Sequence, residues 1–502
     1  MIIACAMAWA TGSCSICEDL AIHCKEHPSS SPQEIAAIEL ATNQAETNQA
    51  ATNPDAMRPT RRILSGRNKM RLLPLLGATY FMVAGGPYGL EDIIGKAGYG
   101  RALIMLAIIP MIWSLPTSLM VGELASAIPE EGGYYVWVRR AMGRFWGFQE
   151  AWLSMAASVF DMAIYPAIFV LYLGRFTPSW TAGYRGTIWA LAVVVGCALW
   201  NLTGARSVGR GSVLLFFALL APFVVLIAAA LWRWHGHGTG ALLNPVGAPD
   251  IAGAISVTMW NCMGFDNAST VAQEVDDPQH NYPRAMLGAA LLVSVSYILP
   301  LASVALAGLA PDQFSTGAWT DAARTLAGPA LAFAVVAGGM VNGAGMFNPL
   351  MMSYTRVPFA MAEDGLLPSA LMRRTKLGVP WVSVLLCAAI WALALRFTFE
   401  RLISIDLVLY GAALLLEFVA LVVLRRREPD LVRPFRVPGG MPGVVAAGLG
   451  PACLIAFVLW AARHEHVLGL NALLFSFVVA LSGAVVYAVA EFIRRRVRPP
   501  AQ

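Results

Sequence analysis

One interrupted apolar segment constrains the fold of this chain more than any other sequence feature. The residues Ala84 to Gly89, which read AGGPYG, lie inside an apolar run from about residue 72 to 95. Glycine and proline weaken or break the helical hydrogen-bond ladder. In hydrocarbon, an unpaired backbone group is so costly that such a break survives only where it lines a protein cavity. We therefore expect an unwound segment beside a cavity in a bundle of membrane helices.

A second interruption of the same kind lies much further along the chain. The residues Met263 to Ala268, which read MGFDNA, interrupt an apolar run from about 251 to 271 and include Asp266. Two broken apolar segments in corresponding halves of a chain are typical of secondary transporters, whose substrate site lies between them near the bilayer midplane. The pair of interruptions therefore predicts a substrate site that contains a carboxylate.

Composition and segment length favour a membrane protein. Hydrophobic residues make up 58% of the chain and charged residues 13%, against ~25% charged in ordinary soluble domains. Runs of about 20 apolar residues are long enough to cross the hydrocarbon. We expect an all-α integral membrane fold with twelve transmembrane helices, at about 72–95, 102–126, 145–174, 186–203, 211–232, 251–271, 285–309, 327–358, 380–398, 402–424, 441–462 and 468–491.

The order of the predicted spans indicates an internal repeat. The first ten form two groups of five, and each group opens with a broken helix. Because five is an odd number of spans, the second group enters from the opposite face, and the repeats are inverted. The predicted domains are a disordered extension or misassigned start at 1–60, the transporter core at 61–440, two accessory spans at 441–493 and a basic cytoplasmic tail at 494–502. The polar near-repeat from Ala41 to Asn53 cannot bury a core, and Met57 is an alternative start.

Basic residues set the expected orientation. They concentrate before the first span, in alternate short loops and in the tail, which places both termini in the cytoplasm by the positive-inside rule. We expect a multi-pass protein of the cell membrane whose partners are lipid, a small molecule and protons, without nucleic acid. The cysteines and histidines from Cys14 to His27 do not match metal-binding spacings well, so neither a metal nor another cofactor is expected.

Carboxylates within predicted spans are candidate functional groups, since such residues are expensive in a membrane. They are Glu91, Asp92, Glu123, Asp161, Asp266 and Glu417. Helical spacing places Asp161 and Tyr165 on one polar face with Glu150, Ser154 and Ser158, and places Asp406, Tyr410 and Glu417 on another. Simpler roles stay open: solvation at the outer mouth for Glu91 and Asp92, gating or helix capping for Glu123 and Glu150, and a structural role for Glu417.

Several motifs then carry a family resemblance. They are GGPYG, PEEGGYYVWV, GFDNAST with AQEVDDPQHNYPRA, RVPFAMAEDGLLP and REPDLVRPFRVPG, in this order between about residues 72 and 440. Together they resemble the amino acid–polyamine–organocation superfamily. AGGPYGLEDIIGKAG, WGFQEAWLS and VFDMAIYPAIFVLYL are most similar to the polyamine uptake branch known from plants and protists. The resemblance implies proton-coupled uptake of putrescine or spermidine through a fold with broken first and sixth helices.

Residues near the two interruptions and on the polar faces form the predicted substrate site. They are Gly85, Gly86, Tyr88, Gly89, Asp161, Tyr165, Trp260, Phe265, Asp266, Asn267 and Tyr410, with Glu417 and Asp161 as candidates for proton coupling. An amino acid transporter or exchanger of the same fold is the first alternative, and a nutrient sensor that does not transport is the second. No set of residues typical of an enzyme is found. The oligomeric state, the preferred amine and the coupling ion stay open.

Overall fold

A computed structural model describes residues 69–235, 247–396, 399–464, 466–467 and 470–497. Its contacts divide the chain after Ile63, and everything described below belongs to the second unit, Leu64–Gln502. The predicted extension at 1–60, with its cysteine and histidine cluster, and the last residues of the predicted tail lie outside the described residues.

The described residues are almost entirely helical. The α-helices are α1 (Leu72–Val83), α2 (Glu91–Ala97), α3 (Tyr99–Ile112), α4 (Ser114–Ala127), α5 (Tyr134–Met142), α6 (Arg144–Phe176), α7 (Pro178–Thr181), α8 (Tyr184–Asn201), α9 (Ala205–Trp234), α10 (Ile251–Trp260), α11 (Pro278–Leu306), α12 (Trp319–Ala327), α13 (Pro329–Tyr354), α14 (Arg356–Glu363), α15 (Trp381–Ala394), α16 (Phe399–Arg427), α17 (Gly440–Ala461) and α18 (Ala472–Val497). Short 3₁₀ helices are Asp266–Thr270, Ala272–Glu274, Pro311–Gln313, Ser369–Met372 and Ala462–His464. Strands β1 (His466–Val467) and β2 (Leu470–Asn471) pair antiparallel before α18.

Within this part of the chain, eight helical segments are long and apolar enough to cross a membrane. They are Tyr99–Ala127, Arg144–Phe176, Ala205–Trp234, Pro278–Leu306, Pro329–Glu363, Ile405–Arg427, Gly440–Ala461 and Ala472–Arg495. Shorter apolar helices are α1, α10 and α15. The all-α membrane class is therefore confirmed.

The distribution of side chains suits a lipid environment. Large apolar residues are exposed on the outside of the bundle, such as Leu214 at 71% and Trp232 at 87% on α9. The charged side chains of Glu150 and Asp161 are buried on α6. Polar residues therefore face the interior, as expected where the surrounding solvent is hydrocarbon.

Both predicted interruptions are present in the structure. At the first interruption, α1 ends at Val83 and helical geometry resumes at Glu91, and Gly86 and Gly89 between them have φ of 67° and 90°. At the second interruption, α10 ends at Trp260, and a 3₁₀ helix begins at Asp266. In both places glycine supplies the left-handed backbone that other residues disfavour.

The short helix α5 is enclosed by protein. Tyr134, Tyr135, Trp137 and Val138 are buried, and α5 packs against α6 and α16.

Helix α6 is central to the bundle. It packs against α13, α16 and α5, and on another side against α18. The contact with α18 includes the Trp152 indole N–H, which donates to the Val479 carbonyl at 2.9 Å, and the Gln149 amide, which donates to the Ala480 carbonyl. These hydrogen bonds attach the last helix to the helix that carries Glu150 and Asp161.

Candidate substrate site

The two interruptions lie against each other. A Cβ placed on Gly264 would lie 2.4 Å from the Met82 carbonyl oxygen, so only glycine allows this approach to the end of α1. A Cβ on Gly89 would lie 3.4 Å from the Asn261 side chain and 3.6 Å from the Trp260 ring. The unwound segments therefore form one junction in the protein interior.

Tyr410 of α16 holds the second interruption in place. Its hydroxyl accepts a hydrogen bond from the Gly264 N–H at 2.9 Å and donates one to the Asp266 carboxylate. Tyr410 and Asp266 are 3% and 2% exposed. The structure thus brings together two predicted site residues from distant parts of the chain, with the carboxylate at the start of a 3₁₀ helix.

Asn267 and Phe265, the neighbours of Asp266, are engaged with the protein. The Ser353 hydroxyl of α13 donates to the Asn267 carbonyl oxygen at 2.7 Å. Phe265 is fully buried in the core. The Ser353 hydrogen bond holds the backbone next to Asp266, and both neighbours of Asp266 are buried.

Asp161, Tyr165 and Trp260 form a second connected group. The Tyr165 hydroxyl donates to Asp161 at 2.6 Å, one helical turn earlier on α6. The Tyr165 ring stacks on the Trp260 ring with centroids 6.3 Å apart and an interplanar angle of 20°. The polar face predicted on the third span therefore meets the end of α10, where the second interruption starts.

The remaining predicted residues of the first interruption point toward other helices. The Tyr88 hydroxyl donates to the Val335 carbonyl at 2.6 Å. A Cβ on Gly85 would lie 1.8 Å from Asn342 Oδ1, and one on Gly86 would lie 3.1 Å from Leu219. These contacts give the two glycines and Tyr88 a role in helix packing. A direct role in substrate binding stays a prediction for these three residues.

Glu91 is buried rather than solvated at an outer mouth. Its carboxylate accepts hydrogen bonds from the Gly89 N–H at 2.6 Å, the Tyr172 hydroxyl at 2.8 Å and the Gly317 N–H at 3.2 Å. All three donors are neutral. Glu91 therefore ties the first interruption to α6 and to the segment before α12.

Two carboxyl groups that sequence reasoning left out of the site are deeply buried. Asp406 on α16 is 0% exposed, and within the described part of the chain neither of its oxygens has a hydrogen-bond partner. Glu150 on α6 accepts from the Ser154 hydroxyl at 2.8 Å, while its second oxygen has no partner. The helical spacing had already placed both residues on the polar faces, which was the signal available for including them.

Glu417, a predicted proton-coupling residue, is a buried acid like Asp406 and Glu150. It is fully buried, and neither of its oxygens has a hydrogen-bond partner among the residues that the structure describes. It lies within electrostatic range of Asp266 and Glu150. We refer to Glu150, Asp161, Asp266, Asp406 and Glu417 as the unpaired carboxyl group.

None of these five residues forms an ion pair with any side chain that the structure describes. The buried arginines Arg356 and Arg433 lie beside other acids, Glu274 and Glu123. A buried carboxylate is costly unless it is paired. The arrangement therefore favours a cation from solution as the ligand. In the described part of the chain, no cluster of His, Cys, Asp and Glu has the geometry to hold a metal ion.

Comparison with known proteins agrees with this chemistry. The model of a family described as amino acid permease matches residues 76–491. The chain is 34% identical to polyamine transporter PUT1 of Oryza sativa subsp. japonica, over 79% of this chain and 74% of that protein. It is 31% identical to polyamine transporter RMV1 of Arabidopsis thaliana, over 79% and 81%. It is 25% identical to the serine/threonine exchanger SteT of Bacillus subtilis, over 72% and 83%.

Proposed function

The chain belongs to the amino acid permease family, and from this premise we propose that it imports polyamines such as putrescine or spermidine by alternating access. Its family makes it a membrane transporter rather than an enzyme. One observation supports the choice of substrate: five carboxyl groups are buried near the two interruptions and on the polar faces, and none of them forms an ion pair with a cation among the described residues. Two relatives at 31% and 34% identity that are named as polyamine transporters support the same choice.

The chemistry of an ammonium substrate matches this site. Each ammonium group compensates a carboxylate that would otherwise be buried and unpaired. The rings of Tyr165 and Trp260 stack beside Asp161 and offer cation–π contact to an alkylammonium. An amino acid would bring its own carboxylate into a site already rich in acids. The described residues place no lysine or arginine there to receive it.

Proton coupling and topology belong to the same proposal. Glu417 is the preferred proton carrier, because it is buried, makes no hydrogen bond and interacts with the charge of Asp266. Asp161 is the second candidate. We further propose twelve spans with two inverted repeats of five, residence in the cell membrane and both termini in the cytoplasm, as the positions of the basic residues favour.

Uptake into proteoliposomes tests the substrate. Reconstituted protein should accumulate labelled putrescine, and excess spermidine should compete strongly while leucine should not. Liposomes without protein give the background. Strong inhibition by leucine with none by spermidine would contradict the proposal.

A variant of Glu417 tests the coupling step separately. Glu417→Gln keeps the shape of the side chain and removes its titrating proton. We expect near wild-type binding of putrescine but uptake that no longer responds to an imposed pH gradient. If Glu417→Gln still accumulates putrescine in proportion to the gradient, another group carries the proton, and Asp161→Asn is the next variant to measure.

A further inference from the structure

Asp406 is the most isolated of the buried acids. It is 0% exposed and neither oxygen has a hydrogen-bond partner in the described part of the chain, whereas the acids at 161 and 266 each accept a tyrosine hydroxyl. A buried polar atom without a partner is rare in native proteins and calls for a functional explanation. Asp406 also lies one helical turn before Tyr410, which contacts Asp266, so it faces the interior of the site.

The neighbour of Asp406 is Asp161 on α6. Helices α6 and α16 pack against each other, and the two carboxyl groups are within electrostatic range of each other and of Tyr165. Asp161 and Asp406 therefore form a pair of like charges, and no arginine or lysine whose side chain is described forms an ion pair with either of them.

Glu150 and Glu417 lie further along the two helices. Glu150 and Asp161 are eleven residues apart on α6, and so are Asp406 and Glu417 on α16. At 1.5 Å per residue, eleven residues correspond to about 16 Å along a helix. Glu150 and Glu417 are within electrostatic range of Asp266, which Tyr410 joins to α16. The acids thus form two clusters, Asp161 with Asp406 and Asp266 with Glu150 and Glu417.

Tyr354 lies close to acids of both clusters. This buried tyrosine ends α13 and is within electrostatic range of Asp161, Asp406 and Asp266. Together with Tyr165 and Trp260, it adds aromatic surface beside the carboxylates. A linear ligand that is charged at both ends and apolar in the middle matches this combination of groups.

We propose that Asp406, with Asp161, forms a second ammonium subsite that is distinct from the one at Asp266. The inference rests on the proposed function, and it adds that the transporter recognises its substrate by two separated positive charges. A monoamine would occupy one cluster and leave the other unpaired. A diamine or triamine compensates both, so the second charge determines specificity.

Putrescine and butylamine form a matched ligand pair, since they differ in one terminal amine. The purified full-length protein should bind putrescine or spermidine more tightly than butylamine, by at least about thirtyfold for the better polyamine. In Asp406→Asn this advantage should disappear while butylamine affinity stays within a few-fold of wild type. Asp161→Asn should have the same selective effect, and Asp266→Asn should weaken binding of all three ligands. Asp312→Asn, at an exposed site, is the control and should change nothing.

The outcomes separate this inference from the function it rests on. If wild-type protein binds none of the three amines, the proposed function is wrong. If wild type binds butylamine as tightly as both polyamines, it has no second subsite, and this result needs no variant. If Asp406→Asn weakens all three ligands by the same factor, or none of them, Asp406 does not bind the second ammonium group.

Discussion

Two regions of this protein bury carboxylates to the same extent and compensate them in opposite ways. In what we call the paired region, each buried acid lies beside an arginine. Glu274 accepts a hydrogen bond from the Arg356 guanidinium at 2.9 Å, and Glu131 accepts one from Arg374 at 2.8 Å. Glu123 lies between Arg425 and Arg433. In the unpaired carboxyl group, Asp161 and Asp266 each accept a hydrogen bond from a tyrosine hydroxyl. Asp406 and Glu417 have no hydrogen-bond donor among the described residues.

On the proposed function, this difference separates structural acids from ligand-binding ones. A buried acid with a fixed arginine is compensated as the protein folds, so it serves the architecture of the bundle. A buried acid without one keeps an unmet demand for positive charge, which a proton or a ligand can satisfy. Glu91 shows that a missing counter-ion is not sufficient to mark a binding site, because three neutral donors satisfy its carboxylate.

The largest expected effect is a loss of folding stability when an arginine of the paired region is replaced. Arg356→Gln leaves Glu274 as an uncompensated buried charge, which should lower stability by about 3–5 kcal/mol. Thermal unfolding of the detergent-solubilised protein measures this effect. The double variant Glu274→Gln with Arg356→Gln should recover part of the loss. A single variant as stable as wild type would show that this ion pair is not structural.

The next largest effect is on ligand affinity rather than on stability. Asp266→Asn removes a charge from the unpaired carboxyl group, so it should leave the unfolding temperature unchanged or raise it. Putrescine affinity should fall by at least ~2 kcal/mol, roughly thirtyfold, because one close ion pair with the ligand is lost. Equilibrium binding and thermal unfolding are measured on the same preparation. Wild-type affinity for putrescine would remove Asp266 from the site.

Within the paired region, Glu131 should make the stability of the folded protein depend on pH. Burial raises its pKa to about 7, although Arg374 acts in the opposite direction. Because the folded state holds this proton more tightly than the unfolded state does, stability is highest below the unfolded pKa near 4.5 and falls as the pH rises toward 7. The expected loss between pH 5 and 7 is about 2 kcal/mol. Glu131→Gln should flatten this slope in thermal unfolding, and an unchanged slope would assign it to another group.

The smallest effect is expected at an exposed pair. Arg140 donates to Glu428 at 2.6 Å, but their side chains are 38% and 32% exposed. Ion pairs in water contribute about 0–1 kcal/mol. Arg140→Gln should therefore lower stability by less than about 1 kcal/mol, and salt should reduce the difference further. A loss as large as that of Arg356→Gln would show that exposure does not separate these pairs.

Much of the fold follows from local sequence. The glycines and proline at 84–89 and the MGFDNA segment weaken the helical ladder locally, and the structure interrupts a helix at each of them. Spacing of four residues on a helix placed Tyr165 over Asp161, and the hydrogen bond between them forms. Such features depend on a few neighbouring residues and on the length of an apolar run, so the sequence alone determines them.

Only the tertiary structure decides which acids acquire partners. Glu274 meets an arginine 82 residues away, and Tyr410 reaches a glycine 146 residues away. Asp406 lies on a similar polar face and meets no partner. Gly85 also resembles a cavity-lining residue in sequence, but in the fold it adjoins Asn342. Helical periodicity determines the direction of a side chain within its own helix. Long-range packing determines whether the facing helix places an arginine, a tyrosine or no polar group next to that side chain.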